Sequence, residues 1–156
     1  MICDSNDLYH AMLACAAAHV EQKDKAGNPY LMHPLAVAAA GADLDEIVLG
    51  LLHDVVEDTE DTVETLQEKY GFPDALMNAL EAISKKDGES LESYLKRVVQ
   101  NELAVRVKIH DMNHNSDHWR LSLLGPQKAK FFAEKYEKAK QLLEQYRYEA
   151  TNPMIH

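Results

Sequence analysis

Four ionisable side chains interrupt the most apolar segment of the chain, in the stretch Leu51-Leu52-His53-Asp54-Val55-Val56-Glu57-Asp58. A helix that begins after Asp43 or Asp45 and continues through Val56 is predicted here. Because a helix repeats its face every three to four residues, each of the first two polar residues would lie over one of the last two. Buried carboxylates persist when they are paired or bound to a metal. The stretch therefore predicts a functional site; for the acidic pair alone, the alternative is a solvated helix end.

The rest of the chain also has a helical pattern, with apolar residues every three to four positions and capping or breaking residues between segments. We predict an all-α bundle of about seven to eight helices, with the apolar segment described above near its centre. Pro34 and Pro126 are expected in first turns, and Asp61 with Glu64 resembles a capping box. The predicted helices cover approximately residues 7–22, 34–41, 46–56, 62–71, 73–83, 91–101, 102–115 and 126–150. A short disordered tail is expected from about residue 150.

One segment has the pattern of a strand rather than a helix. Apolar residues at positions 103, 105, 107 and 109 alternate with less apolar residues, which is the period of a half-buried strand. A lone strand in a helical chain would have no partner for its backbone hydrogen bonds. Consistency with the rest of the chain therefore favours a helix from about Glu102 to Asn115.

Length and charge restrict the classes of function. The chain has 156 residues, enough for one domain with a sizeable core, and we predict that residues 1–156 form a single domain. A net charge of −10 argues against non-specific binding to nucleic acid or to an anionic membrane. Cys3 and Cys15 do not make a disulfide framework, and the N-terminus has no signal-peptide pattern. We expect a soluble cytoplasmic protein that would meet a phosphorylated substrate with local cations or a metal; a homodimer is left open.

Two further clusters offer groups that could complete a metal site with His53 and Asp54. His33 lies at the expected start of the second helix, where on its own it would be a capping or core histidine. Asp111 and Asn115 would share one face of the 102–115 helix. Three histidines at positions 110, 114 and 118 would share another face. This triple suggests zinc, but it has no accompanying thiolate, and we interpret it as solvated surface.

Taken together, these residues resemble a known family. The order of His33, His53-Asp54, Glu57-Asp58 and Asp111 is similar to the ligand series of the HD phosphohydrolases. More closely, three stretches resemble the hydrolase domain of the stringent-response enzymes and the single-domain alarmone hydrolases: residues 25–38, 51–59 and 107–115. The resemblance extends from about His10 to Tyr146. It implies an all-α fold in which the 103–115 segment is helical.

The resemblance also implies a metal and a set of roles. One Mn²⁺ would be held by His33, His53, Asp54 and Asp111. Such a mixed nitrogen and oxygen set suits a borderline-hard ion and leaves positions for water and phosphate. Glu57 and Asp58 would orient or deprotonate the attacking water. Lys25 and Asn115 carry over as substrate contacts, and Lys128 is a further candidate for a phosphate contact, with an ordinary solvated lysine as the alternative.

The function implied is hydrolysis of the 3′-pyrophosphate of guanosine tetra- or pentaphosphate, by a metal-dependent phosphohydrolase. Asp24 is a departure, because the long stringent-response enzymes have an arginine there that can stack on guanine. One alternative is a phosphatase or pyrophosphohydrolase for another nucleotide or dinucleotide. A second is a nucleotide-binding module without turnover, which would not need both the metal ligands and the acid/base pair.

Overall fold

Helices make up the regular secondary structure of the computed structural model, which describes residues 1–155. The α-helices in this part of the chain are α1 (Ser5–His19), α2 (Met32–Ala39), α3 (Leu44–Leu52), α4 (Val55–Asp58), α5 (Val63–Tyr70), α6 (Asp74–Ile83), α7 (Leu91–Val98), α8 (Glu102–Asn115), α9 (His118–Ser122) and α10 (Pro126–Thr151). The predicted fold class is therefore confirmed. None of these helices is long and apolar enough to cross a membrane.

Helix α3 occupies the centre of the fold, as its composition predicts. It packs against α1, α2, α6 and α8, and the apolar residues of its second half are almost completely enclosed. Asp43 is the N-cap, and its side chain accepts a hydrogen bond from the Glu46 amide at 2.9 Å. The buried end of α3 therefore brings the sequence that follows it, His53-Asp54, into the interior.

The predicted continuous helix through Val56 is wrong, because the backbone breaks at His53 and Asp54. In a continuous helix the Gly50 carbonyl would accept from the amide four residues later. Here the Nδ1 atom of the His53 ring occupies that carbonyl at 2.6 Å, and α4 starts only at Val55. His53 and Asp54 therefore do not lie over Glu57 and Asp58 along one helix, as expected, because a turn separates the two pairs.

Helices α2 and α3 approach each other through their backbones. A Cβ atom at Gly50 would lie only 3.0 Å from the Cα and N atoms of Ala38. That distance is shorter than van der Waals contact, so a side chain at position 50 would require α2 to move by a few tenths of an ångström. The contact holds α2, which carries His33, close to α3, which His53 follows.

The segment with strand-like alternation is the helix α8, as predicted. Asn101 is its N-cap, and its side-chain oxygen accepts from the Ala104 amide at 3.0 Å. Leu103, Val105 and Val107 are all buried, because α8 packs against α2, α3 and α6. A helix that is enclosed on several sides has no single apolar face, so its sequence does not display the helical period.

Several element boundaries differ from the prediction. The capping box of α5 is formed by Thr62 and Thr65 rather than by Asp61 and Glu64, because the hydroxyl of Thr62 accepts from the Thr65 amide. Helix α1 ends at His19, and α9 was not predicted at all. Helix α10 reaches the expected tail, which in the described residues ends in a 3-10 turn at Pro153–Ile155; residue 156 lies outside the described residues.

Candidate metal centre

Three separate parts of the fold bring four side chains to one point. His33 comes from α2, His53 and Asp54 from the break before α4, and Asp111 from α8. The ligand atoms of the first three residues all lie within 4.8 Å of one another. His33 Nε2 lies 3.3 Å from His53 Nε2 and 2.9 Å from Asp111 Oδ1. His53 Nε2 lies 3.1 Å from Asp54 Oδ2 and 3.5 Å from Asp111 Oδ1.

This donor set fits a divalent cation. Neighbouring ligands on an octahedral ion with bonds of about 2.1 Å lie roughly 3 Å apart, which is close to the separations observed. The rings of both histidines are only 2% exposed, and the Asp111 side chain is 7% exposed. Two imidazoles and two carboxylates suit Mn²⁺ and similar ions, and a cation offsets the cost of gathering carboxylates away from water.

The titration of these groups is shifted by their mutual contacts. Burial raises the pKa of Asp54, but the adjacent His53 outweighs this and holds that pKa at about 2. Burial likewise opposes ionisation of Asp111, and Lys108 together with the two histidines holds its pKa well below the usual range. Both carboxylates are therefore charged at neutral pH and available as ligands.

Residues that sequence reasoning did not assign hold the two carboxylates in place. The Tyr30 hydroxyl donates to Asp54 Oδ2 at 2.5 Å, and the Lys108 ammonium group donates to Asp111 Oδ2 at 2.7 Å. Asn115, which was predicted as a substrate contact, donates to Asp111 Oδ1 at 2.9 Å. The spacing of Lys108 and Asp111, one helical turn apart, was the available signal for this ion pair.

The turn at His53 and Asp54 separates this pair from Glu57 and Asp58. The two acidic side chains then have different surroundings. Glu57 is an exposed residue that lines the same cavity as Asp54 and Asp111. Burial of the carboxyl group and the charge of Asp54 raise the pKa of Glu57 to about 7. A carboxyl group with this pKa can both accept and release a proton near neutral pH.

Asp58 lies instead against the end of α1. The Gln22 side-chain amide donates to Asp58 Oδ2 at 3.2 Å, and His19 Nδ1 contacts the Gln22 side-chain oxygen at 2.8 Å. Burial and the charge of Asp54 raise the pKa of Asp58. Sequence reasoning missed His19 and Gln22, although both precede the first motif by only a few residues.

Comparison with known proteins places this arrangement in a family. The model of a family described as the HD domain matches residues 11–108. The chain belongs to the HD-domain family. An HD domain implies a divalent-metal site, and in this HD domain the cluster of His33, His53 and Asp54 can hold the ion.

The curated relatives are much longer proteins. The GTP pyrophosphokinase of Myxococcus xanthus is 35% identical over 72% of this chain and 17% of its own length. The bifunctional (p)ppGpp synthase/hydrolase SpoT of Escherichia coli K12 is 30% identical over 69% of this chain and 17% of its own length. The guanosine-3′,5′-bis(diphosphate) 3′-pyrophosphohydrolase of Aquifex aeolicus is 33% identical over 64% of this chain and 15% of its own length. The chain therefore spans about a sixth of these relatives.

A solved structure confirms the fold over nearly the whole chain. It is described as a metazoan ortholog of SpoT that hydrolyzes ppGpp and plays a role in starvation responses. The TM-score is 0.67, with 19% sequence identity, and the match covers 96% of this chain and 98% of the other. At this level of identity the similarity concerns the fold alone.

The cleft of this HD domain has two lobes that meet at Tyr30, Asn115 and Tyr136. The metal lobe, a cavity of about 260 Å³, is lined by Asp54, Glu57 and Asp111 among others. The second, which we call the cation lobe, has a volume of about 210 Å³ and is lined by residues that include Lys25, Arg120, Phe132 and Tyr136.

The cation lobe carries a concentration of positive charge that the overall composition conceals. The Lys25 ammonium group lies 4.4 Å from the centre of the Phe132 ring. Burial lowers the pKa of Lys25, and the positive charges of Lys135 and Arg120 lower it further. The rings of Phe132 and Tyr136 stack with 6.1 Å between their centres. The lobe therefore offers cations for phosphate groups and aromatic surface for a flat base.

Two residues of the predicted recognition site have other surroundings. Lys128 is exposed and lines a more open groove that it shares with Lys25 on the outer side of α10. Asp24 borders the cation lobe, but its Oδ1 atom accepts from the amides of Ala26 and Asn28, each at 2.9 Å. The Asp24 carboxylate thus holds the turn that carries Lys25.

The three histidines of α8 and α9 do not form a zinc site, since their rings meet different partners. His118 is exposed, as predicted. His110 contacts the buried carboxylate of Glu46 at 3.2 Å. The prediction of solvated surface is wrong for His114, which is half-buried and stacks on His33 with 5.0 Å between ring centres. Burial and the charge of Arg120 lower the pKa of His114 to about 4, so its ring is neutral at pH 7.

Proposed function

We propose that this HD domain is a hydrolase that removes the 3′-pyrophosphate of guanosine tetra- or pentaphosphate, with Mn²⁺ as its metal. The observation that carries the proposal is the two-lobed cleft, in which a divalent-metal site adjoins a lobe rich in cations and aromatic rings. A nucleotide with phosphate groups at the 3′ and 5′ positions of its ribose matches this cleft, with one phosphate group for the metal site and the other for the cation lobe. The printed names of the Aquifex aeolicus and Escherichia coli relatives describe this reaction for those proteins.

His33, His53, Asp54 and Asp111 would hold the ion. A divalent metal at such a site lowers the pKa of coordinated water and offsets the negative charge that builds on phosphorus. Glu57 takes the proton of the attacking water, because its pKa of about 7 leaves much of the group ionised at neutral pH. Asp58, oriented by its hydrogen bond from Gln22, is the second acid/base group.

The remaining contacts bind the rest of the nucleotide. Lys25 and Arg120 border the cation lobe and face the phosphates that are not cleaved. Asn115 lines both lobes and, through its bond to Asp111, couples substrate to the metal site. Phe132 offers an aromatic surface for the base. Lys128 contributes only through the outer groove, where it attracts phosphate at longer range.

The test is a product assay on the full chain with guanosine 3′-diphosphate 5′-diphosphate and Mn²⁺, in which pyrophosphate and inorganic phosphate are measured separately. We expect pyrophosphate and guanosine diphosphate in equal amounts, and no product after chelation. The Asp54→Ala variant is the matched control for a contaminating enzyme. Release of inorganic phosphate alone, or no turnover with a folded, metal-loaded protein, would contradict the proposal.

A second candidate is hydrolysis of another nucleotide at the same metal site. It is favoured by the cation lobe, because stacking on Phe132 does not distinguish guanine from adenine. Asp24 supplies no cation at the position where an arginine is expected to stack on guanine. Comparison of guanine and adenine substrates with identical phosphates separates the candidates: a preference for guanine of tenfold or more supports the first, and equal rates support the second.

A further inference from the structure

The outward side of α1 is apolar, whereas the exposed side of a surface helix is normally polar. Ala11, Ala14 and Cys15 pack into the core on the other side of this helix. At about 3.6 residues per turn, the exposed apolar residues from Ser5 to Val20 all lie within an arc of about 140°. We call this set the α1 face; its members are Tyr9, Met12, Leu13, Ala16, Ala17 and the C-cap residue Val20.

No acidic or basic side chain belongs to the α1 face. Ser5 and Asn6, in the first turn, are the other exposed residues of the helix. This is unusual in a chain with a net charge of −10, and the exposed residues of α10 are mostly lysine, glutamate and glutamine. Contiguous apolar patches larger than a few hundred Å² mark sites of interaction. The α1 face therefore has the character of a contact surface.

The charge of the molecule restricts what can cover this face. Helices that lie on a membrane combine an apolar stripe with lysine and arginine, which attract anionic lipids. The exposed side of α1 has neither, and the net charge of the chain repels an anionic surface. A protein surface fits better. Two copies of this acidic chain can meet at an uncharged face without placing acidic side chains against each other.

The order of side chains along the α1 face is self-complementary. In a two-fold symmetric interface, a residue that contacts a second residue of the other copy is contacted by its own copy of that second residue. With two α1 helices antiparallel about an axis between positions 12 and 13, Tyr9 of one copy faces Ala16 of the other, and Met12 faces Leu13. The largest side chain thus meets one of the smallest. In a parallel pair, Tyr9 would face Tyr9, and the two alanines would leave a gap.

We propose that the α1 face forms the centre of a homodimer interface, with the α1 helices of two copies packed antiparallel. Tyr9, Met12 and Val20 are 60%, 53% and 69% exposed. The α1 face as a whole exposes roughly 500 Å² of apolar residues, which is more than half of the about 800 Å² that each partner buries in a standard interface. The polar residues at the first turn are then part of the rim.

The experiment is sedimentation velocity on the full chain, from micromolar to near-millimolar concentration. We expect a monomer–dimer equilibrium in the wild type. Tyr9→Lys places a charge against Ala16 of the other copy, and the dissociation constant should rise about 10- to 100-fold. Tyr148→Lys is the matched control, because Tyr148 is 54% exposed on α10, and it should leave the constant unchanged. Thermal unfolding at low concentration establishes that each variant is folded.

A mixing experiment tests the antiparallel pairing. Met12→Glu and Leu13→Lys should each weaken self-association, because each buries an unpaired charge in the dimer. When the two variants are mixed in equal amounts, the introduced acid of one chain faces the introduced base of the other. The other half of the interface keeps the wild-type pair of Met12 and Leu13. We expect the mixed dimer to form at least tenfold more tightly than either variant alone.

Each of three results would overturn the inference. A wild type that stays monomeric at the highest concentration would assign the α1 face to a different protein. Equal losses in Tyr9→Lys and Tyr148→Lys would place the interface elsewhere. A mixture that associates no better than its components would exclude the antiparallel pairing. None of these measurements reads turnover, so the homodimer and the proposed hydrolysis can fail separately.

Discussion

The side chains of the metal lobe come from buried helix segments and the break before α4, whereas those around Lys25 come from a loop, the short helix α9 and one side of α10. In the metal lobe each ligand contacts at least one other ligand, and the carboxylates have further bonds from Tyr30 and Lys108. In the cation lobe, Lys25 meets an aromatic ring and neighbouring positive charges. The first lobe is a connected set whose members depend on one another. The second consists of contacts that can change one at a time.

Because the side chains of the metal lobe depend on one another, removal of a proposed metal ligand should have the largest effect of any single change. Asp54→Ala deletes one ligand and leaves His53 without its nearest carboxylate, so metal binding and hydrolysis should be lost together. Metal content and product release are measured on the same preparation. His118→Ala, at an exposed histidine, should change neither. If Asp54→Ala retained its metal, the side chains of the metal lobe would not depend on one another, and the contrast with the cation lobe would be wrong.

The acid/base groups of the metal lobe should affect rate without affecting the metal. Glu57→Gln keeps the size of the side chain but cannot accept a proton, and kcat should fall about 10²- to 10⁴-fold. Asp58→Asn should act in the same direction. Mn²⁺ affinity, measured by calorimetry, should stay within about threefold, since neither residue is a proposed ligand. A double amide variant with near-normal kcat would show that these carboxyl groups are dispensable.

Gln22 tests whether the connected set extends to the segment that follows α1. Gln22→Leu removes the donor to Asp58, and a hydrogen bond to a charged group is worth about 1.5 to 3 kcal/mol, so kcat should fall on the order of tenfold or more. In the Asp58→Asn background the same substitution should have little further effect, because the partner charge is gone. Equal losses in both backgrounds would mean that Gln22 acts elsewhere than on Asp58.

The cation lobe should give graded effects on KM. Lys25→Ala removes a positive charge beside Phe132, and a contact of about 0.5 to 2 kcal/mol corresponds to a several-fold to roughly thirtyfold rise in KM. The rise should be smaller at high salt. Lys128→Ala is the matched comparison and should change KM less than about twofold, as expected for one exposed charge. A larger effect at Lys128 than at Lys25 would indicate that the phosphate groups bind in the outer groove and not in the cation lobe.

The smallest expected effect concerns stability in the absence of metal. The pKa of Glu57 is raised from 4.5 to about 7, so the folded protein binds a proton there more readily than the unfolded chain. Stability must therefore fall as the pH rises from about 4.5 through about 7. Glu57→Gln should be the more stable protein above pH 7, by about 1 kcal/mol or 2–4 °C in Tm after solvent screening. The difference should vanish below about pH 3.5, where both states are protonated. Thermal unfolding with a chelator present measures it, and a difference independent of pH would contradict the shift.

Part of the candidate metal centre could be predicted because its chemistry leaves a mark in the sequence. A histidine and an aspartate at the end of an apolar helix are costly unless they are paired, so His53 and Asp54 stand out. The helical interpretation of α8 was predictable for a related reason, since a lone strand would leave its backbone unpaired. His33 and Asp111 belong to further clusters that the sequence offered, and the family resemblance selected them as candidate ligands, because no local pattern connects them to the other two.

The details that could not be predicted depend on contacts between side chains and backbone. The bond from His53 to the Gly50 carbonyl breaks the helix, but the apolar residues on both sides of the break have the spacing of one continuous helix. Asp24 has the same charge whether it faces a ligand or closes a turn, and only the structure shows that it holds the amides of Ala26 and Asn28. His114 is one of three similar histidines, and only the structure shows that its ring lies against His33 and Arg120.

The close approach at Gly50 bears on how such a site tolerates evolutionary change. The separation of α2 and α3 at this point is set by main-chain atoms of Ala38 and not by the size of core side chains. Apolar residues elsewhere in the core can be exchanged for others of similar volume without changing that separation. A side chain at position 50 would instead require α2, which carries His33, to move by a few tenths of an ångström away from α3, which His53 follows. A glycine without chemistry of its own thus sets how closely two parts of the candidate metal centre approach each other.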